Sequence, residues 1–382
     1  MKCLEVSKIS CIVDSRLSPL VDAELERVGI SESYGMKAKQ LTLSEHSTLF
    51  SIGRRMVIEE DRADLFRFYV PREYEEAIMD SVARAADLYL PGRGSIFAEH
   101  TSLEGNNPDP WRTDLKDHLP VPKGAKSPVY ELIRCIVKRG DGDALARMAL
   151  DMGLCVPIIS YGEGMGLRNK LGLLRITIPV EKEIIWFLVP EGDVDFVLDA
   201  VIRKAGMDQP GKGFIYRSPV RVRAVNTRMM RDKRRHVASM EQVISVLDEI
   251  RGSTDWRRLH GAPRTRRNKA ASGKTSLLSF TLICEEGSVE ESVRMAMEKG
   301  AGGATLVRLS RRGTESSIRP STVKTPESKF VSRARETCDL IVERTLVASL
   351  EETVAASGFF DPPVNGFLEL GHVADVVTWS GA

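Results

Sequence analysis

The 382-residue chain is short of several things: aromatic residues make up 6%, cysteines number six with no C-x-x-C pair, and 55 Lys and Arg stand against 53 Asp and Glu, a net charge of +2. No stretch approaches the roughly 18 consecutive apolar residues of a membrane-spanning helix. The opening MKCLEVSKISCIVD lacks the basic region and long apolar run of a secretory leader, so a cytoplasmic location is expected. Cys3, Cys11, Cys135, Cys155, Cys284 and Cys338 are scattered through apolar runs without zinc-type histidine spacing, and are read as reduced core residues. His46 and His100 are isolated, and no metal site is expected. No nucleophile, base and orienting residue come together, and no acid pair recurs, so catalysis is not expected. With 42% hydrophobic and 28% charged residues, disorder is excluded as the main state, and the length suits two to three domains.

What the chain does have is internal repetition. Phe68-Tyr69-Val70-Pro71 is followed by a helical pattern and Pro91-Gly92-Arg93-Gly94; Phe187-Leu188-Val189-Pro190 is followed by a helical pattern and Pro210-Gly211-Lys212-Gly213, at an offset of 119 at both ends. A third copy runs from Leu340-Ile341-Val342 to Pro363-Val364-Asn365-Gly366, 153 positions after the second. Upstream, Ile12-Val13, Ile136-Val137 and Ile283-Cys284 end strand-like runs, and Gly29, Gly153 and Gly300 close the amphipathic helices that follow. Each unit reads strand, helix, two strands, helix and a short final strand such as Phe214-Ile215-Tyr216, the split β-α-β-β-α-β arrangement with both helices on one sheet face.

That arrangement leaves the other sheet face bare. In Glu183–Val189 both faces are apolar, Ile184, Trp186 and Leu188 on one and Ile185, Phe187 and Val189 on the other, so both require burial. The expected fold is α+β: three ferredoxin-like domains packed as a single-chain pseudo-trimer, monomeric as a chain. The boundaries are 6–104, a linker at 105–128, 129–225, a basic helical connector at 226–275, and 276–380. Residues 221–274 hold 15 Lys and Arg against 5 Asp and Glu. Within them Ser239 opens a helix with Gln242 at the capping-box position. This connector is read as a solvated tether. A nucleic-acid or scaffold role, through Arg264, Arg266 and Arg267, is the alternative. The Ala-Ser-Gly-Lys-Thr run at 271–275 lacks the first glycine and the preceding strand of a phosphate-binding loop, and is read as coincidence.

Two loops recur. The turn before each last strand carries Gly92-Arg93-Gly94, Gly211-Lys212-Gly213 or Val364-Asn365-Gly366; glycines can turn successive N–H groups into one concavity, and a cation between them suits an anion. The segment between strands two and three varies most, and in the middle unit reads Gly162-Glu163-Gly164-Met165-Gly166.

The middle unit, with IVKRGDGDALARMALDMG, ISYGEGMG and IPVEKEIIWFLVPEGDVDFVLDAVIRKAGMDQPGKGFIY, resembles a P-II nitrogen-regulatory domain, particularly its short-loop, tandem relatives. The third unit is similar through EEGSVEESVRMAMEKGAGGATLV, and the first mainly at YVP and LPGRGSIF. The resemblance implies a signalling protein and not an enzyme. It would regulate nitrogen utilization or metabolism by binding a small anionic metabolite or nucleotide between units and controlling a target transporter, enzyme or regulator. It assigns effector binding to Gly92, Arg93, Gly94, Gly211, Lys212, Gly213, Asn365 and Gly366, with Arg221 and Arg223 in place of the family's arginine pair, and docking to Gly162, Glu163, Gly164, Met165 and Gly166. Where nucleotide-binding members carry a lysine after the second glycine, this chain has Ser95, Phe214 and Phe367. The effector is therefore left unidentified, and an adenine nucleotide is a disfavoured candidate.

Overall fold

A computed structural model of the chain describes residues 2–30, 32–47, 54–106, 127–165, 180–207, 212–231, 276–301, 303–312 and 334–378. The first set of elements is β1 (Lys2–Asp14), α1 (Ser18–Arg27), β2 (Ser33–Ser47), β3 (Arg54–Pro71), α2 (Glu75–Ala85) and β4 (Gly94–Gly105). The second is β5 (Val129–Lys138), α3 (Gly142–Asp151), β6 (Ile158–Met165), β7 (Val180–Pro190), α4 (Val194–Ala205) and β8 (Phe214–Ala224), followed by β9 (Met230–Arg231). The third is β10 (Leu277–Glu285), α5 (Glu290–Glu298), β11 (Ala304–Arg312), β12 (Ala334–Glu343), α6 (Val347–Ala356) and β13 (Phe367–Val373), followed by β14 (Asp375–Thr378).

The strands form one large, almost wholly antiparallel sheet, in which three neighbouring runs share one order: β4-β1-β3-β2, β8-β5-β7-β6 and β13-β10-β12-β11. The runs join at both edges. On one, Ala98 of β4 pairs with Arg221 of β8, Gly371 of β13 with Thr101 of β4, and Val377 of β14 with Ile215 of β8. On the other, β2 pairs with β6, β6 with β11 and β11 with β2. The sheet therefore curls closed and leaves few bare edges.

Strand alternation sorts side chains between two kinds of core. Ile185, Phe187 and Val189 of β7 point to α3 and α4, where they meet Leu145, Val197 and Val201. The intervening Ile184, Trp186 and Leu188 face a cluster shared with Leu65 and Tyr69 of β3 and Ile283 of β10. Two further helix-facing clusters lie under α1 with α2 and under α5 with α6. Burying a large aliphatic or aromatic side chain contributes about 1.5–3 kcal/mol, so the shared cluster couples the three runs strongly.

The structure departs from the sequence reading in several places. The last strand of the middle set is eleven residues long and not a short run at Phe214–Tyr216, because its far half pairs with β4. Pro219 is accommodated opposite Glu131 in that strand. The described part of the span from Gly29 to Pro71 is built largely as two long paired strands, β2 and β3, in register from Tyr34 with Arg67 to Ser47 with Arg54. Gly162, Glu163, Gly164 and Met165, expected in a docking loop, lie in β6 between β7 and β11: Gly162 pairs with Lys182 and Gly164 with Thr305. A Cβ on Gly162 would lie 2.8 Å from the Leu306 carbonyl oxygen, which explains the glycine by strand packing. Gly166, most of the 105–128 linker, the helix expected from Ser239 and the Arg264, Arg266, Arg267 cluster lie outside the described residues.

Five of the six cysteines are buried and Cys3 is exposed. Burial pushes the Cys155 thiol up to about 12, and Cys11, Cys135, Cys284 and Cys338 rise for the same reason. A thiol reagent is expected to titrate one cysteine quickly in the native protein and all six after denaturation. Several fast equivalents in the native state would contradict this burial.

Candidate functional site

The glycine turns are largely consumed by the fold. In the first, the Gly92 N–H donates to Asn226 Oδ1 (2.9 Å), and the Arg93 guanidinium is drawn back to the Ala86 carbonyl (3.0 Å) and Asp87 (3.3 Å), where it caps the end of α2. Gly94 has φ +152°, and a Cβ there would fall 2.1 Å from the Ile12 carbonyl oxygen. Gly213 repeats the arrangement at φ +120°, 1.9 Å from the Ile136 oxygen. Lys212 is exposed beside it, while Gly211 is outside the described residues. In the third turn a Cβ on Gly366 would strike the Phe359 ring at 2.3 Å, and Asn365 accepts Arg335 at its carbonyl (3.2 Å).

Asn226 occupies the inner side of the first turn. Besides Gly92, its Oδ1 accepts from the Arg228 N–H (3.0 Å), its Nδ2 donates to Gln40 Oε1 (2.6 Å) and its own N–H donates to Ser95 Oγ (2.9 Å). The first residues of the expected tether are thus docked against β4 and β2. Asn226→Ala is expected to cost about 1–2 kcal/mol, since buried partners lose hydrogen bonds, and to speed amide exchange at Gly92. Unchanged exchange at Gly92 would contradict the contact.

Arg223 is also committed. Its guanidinium donates to Asp80 (2.5 and 2.9 Å) and to Tyr89 (3.0 Å). Burial alone would raise Asp80, but hydrogen bonds from Tyr89, Arg223 and Arg84 outweigh it and hold the carboxyl below its ordinary range.

An open site exists elsewhere. The outer edge of β4 pairs with β8 as far as Ala98 and with β13 from Thr101, and at this fork the strands part around Glu99 and His100. A cleft of about 260 Å³ opens there, lined among others by Lys8, His100, Val129, Pro219, Arg221 and His372. His100 Nε2 lies 2.9 Å from Glu75 Oε2, which also accepts the Ser7 hydroxyl; Arg221 Nε stands 3.9 Å from Glu75 Oε1. Arg221 is half exposed and His372 exposed, so both present donors to the cleft.

Under the cleft lies a buried ionic network. Lys8 Nζ contacts Glu369 Oε1 (2.5 Å) and Glu99 Oε2 (3.2 Å), and Arg134 donates to Glu99 (2.5 Å) and to Ser218 Oγ (2.9 Å). Ser218 in turn donates to Glu99 Oε1 (2.7 Å), and Tyr69 donates to Glu369. The Arg134 guanidinium also stacks 4.9 Å from the Trp186 ring centroid and 5.3 Å from that of Tyr216. Burial would raise the Glu99 carboxyl, yet the charges of Arg134 and Lys8 hold it far below its ordinary value.

No protein-family model matches this chain, and no curated protein does. Similar solved structures include B. subtilis GlnK at 16% identity and a TM-score of 0.22, over 27% of this chain and 90% of that one. The B. subtilis GlnK–ATP complex is similar at 16% identity and a TM-score of 0.23, over 27% and 89%. Aspartate kinase from Synechocystis matches at 9% identity and a TM-score of 0.19, over 96% of this chain and 44% of that one.

Of the residues assigned from sequence that are among the described ones, Arg221 alone lines the fork cleft, while Arg93 and Arg223 are bound to carboxylates on the protein itself. Lys8, Glu99 and His372 were missed, and His100 was noticed only as an isolated histidine. A signal for two of them was present: Lys8 and Glu99 are charges inside otherwise apolar strand runs, which are placed there only when paired. Among the described residues no group of three potential metal ligands occurs, and no helix is long and apolar enough to cross a membrane.

Proposed function

We propose that the chain is a P-II-like regulatory protein, a single-chain pseudo-trimer that binds a small anionic effector between its units and controls a partner protein in nitrogen utilization or metabolism. On this reading it is cytoplasmic and not an enzyme. The nitrogen role rests on the resemblance of the middle unit. Support for the three-unit architecture comes from the repeated strand order and from the cyclic way each last strand crosses to a neighbouring run.

The observation that carries effector binding is the fork cleft, bounded by strands of all three runs and furnished with Arg221, His100 and His372. Ligand clefts for drug-sized molecules run to about 300–1,000 Å³, so 260 Å³ suits a small carboxylate or phosphate better than a nucleotide. Effector binding at the fork would bear on all three runs at once, and any difference in affinity between two arrangements of the strands shifts their populations.

Thermal unfolding against small di- and tricarboxylates, phosphate esters and adenine nucleotides tests this. A ligand selective for the folded state raises the melting midpoint, by an amount equivalent to about 2.7 kcal/mol at a hundred times its dissociation constant. The expected result is a saturable rise with a small anion that Arg221→Ala abolishes. No rise with any of them, or the same rise in the variant, would overturn the assignment of the cleft.

A further inference from the structure

The permanent charges around the fork cleft cancel. Lys8 and Arg221 line it and Arg134 lies beneath, and against them stand the carboxylates of Glu75, Glu99 and Glu369. Each cation has a counter-charge: Lys8 sits between Glu369 (2.5 Å) and Glu99 (3.2 Å), Arg134 is on Glu99 (2.5 Å), and Arg221 Nε stands 3.9 Å from Glu75 Oε1. The other titratable side chains in the cleft wall are His100 and His372, both exposed. With both rings neutral an entering anion meets no net charge, and with both protonated it meets two positive ones. Histidine is the side chain whose charge ordinarily changes near neutrality.

The contact of His100 points the same way. Its Nε2 lies 2.9 Å from Glu75 Oε2, a carboxylate oxygen that also accepts the Ser7 hydroxyl, so the ring donates there and carries a hydrogen on Nε2. In the neutral ring Nδ1 is then a bare acceptor, which repels the lone pairs of an anion. Protonation turns it into a donor. Charged groups surround the ring from every element packed against β4: Lys8 of β1, Glu75 of α2, Arg221 of β8, and Glu369 and His372 of β13. Two residues before Ser7 on β1, Glu5 is bound by Arg72.

We propose that anion binding at the fork is proton-coupled: His100 and His372 take up protons as a small dianion binds, so the cleft reads anion concentration and pH together. The coupling rests on the fork being an anion cleft. By linkage, each proton taken up tightens binding by about tenfold per unit fall in pH while its ring is mostly neutral in the free protein.

Inorganic sulfate is the probe, because it stays a dianion across the range. The chain has six histidines, so their ring-proton resonances can be followed individually in the whole protein, with His100→Asn and His372→Gln assigning two of them. Sulfate is expected to bind at least about tenfold more tightly at pH 6 than at pH 8, and saturating sulfate is expected to raise the titration midpoints of both rings. Equal affinity at the two pH values, lost in Arg221→Ala, would overturn the coupling and leave the anion cleft standing. No binding at pH 6 would overturn both. Tighter binding at pH 6 with both midpoints unmoved would place the coupling on other groups and overturn the proposal as well. Should a variant fail to fold, the wild-type affinities at the two pH values decide alone.

Discussion

Gly213→Ala is expected to destabilise the protein by about 3–5 kcal/mol, among the largest effects of any single substitution. The reason is geometric. A Cβ at this position would sit 1.9 Å from the Ile136 carbonyl oxygen and 3.0 Å from its carbon, at a φ of +120° that side chains rarely adopt. The obstacle is backbone and cannot step aside: Ile136 is in β5, paired with Ile184 of β7 on one side and Phe214 of β8 on the other. Relief requires that β5 or β8 shift, which disturbs the buried cluster beneath both. Gly153→Ala is the control, because its φ is +64° with nothing within 4 Å, so only the left-handed backbone is penalised, by about 1 kcal/mol. Urea unfolding at constant m reads both. Equal losses in the two variants would show that close approach at Gly213 is not what selects the glycine. The same contact at Gly94 makes Gly94→Ala a second instance.

Glu99→Leu is expected to cost about 3–5 kcal/mol at neutral pH, because it strands Arg134 and leaves Lys8 with Glu369 alone in a buried setting. A pH signature separates this from simple mispacking. The folded-state pKa of Glu99 lies far below its ordinary value of 4.5, so as pH falls the unfolded chain takes up this proton before the folded one does. The stabilisation is complete above the unfolded value and is lost progressively as pH drops below 4.5 toward the folded value. Wild-type urea midpoints should therefore fall through that acid range, and the slope should be shallower in Glu99→Leu. An unchanged slope would mean that Glu99 does not carry the acid sensitivity.

The ionic network also shows how the three runs of strands differ. Residues at equivalent places differ: Arg67 of β3 corresponds to Trp186 of β7 and Asp339 of β12, each one residue before the helix-facing Phe68, Phe187 and Leu340. Three identical subunits would bring three like charges together there. Because the runs are unequal, cations of one meet carboxylates of another, Lys8 with Glu369 and Arg134 with Glu99, and a different arrangement of the runs would leave them unpaired.

Much of this was legible in the residues themselves. Alternation in β7, the helical spacing of Leu145 and Ala149, and the 119-residue repeat of Pro-Gly-x-Gly determined which segments become strands, helices and turns, because each is a local pattern with a fixed period. The packing role of Gly94 was not legible for a physical reason: a glycine pair that frees N–H groups and a glycine pair that admits a neighbouring carbonyl look alike in sequence. Only the tertiary structure decided that Arg93 caps its own helix, that Asn226 fills the first turn from 134 residues away, and that Lys8 meets Glu369 across 361 positions. The sequence by itself determined the elements, through periodicities of two and 3.6; the packing of one set of strands against another determined the charged axis and the cleft. Those contacts depend on registers between distant strands, and no local pattern encodes them.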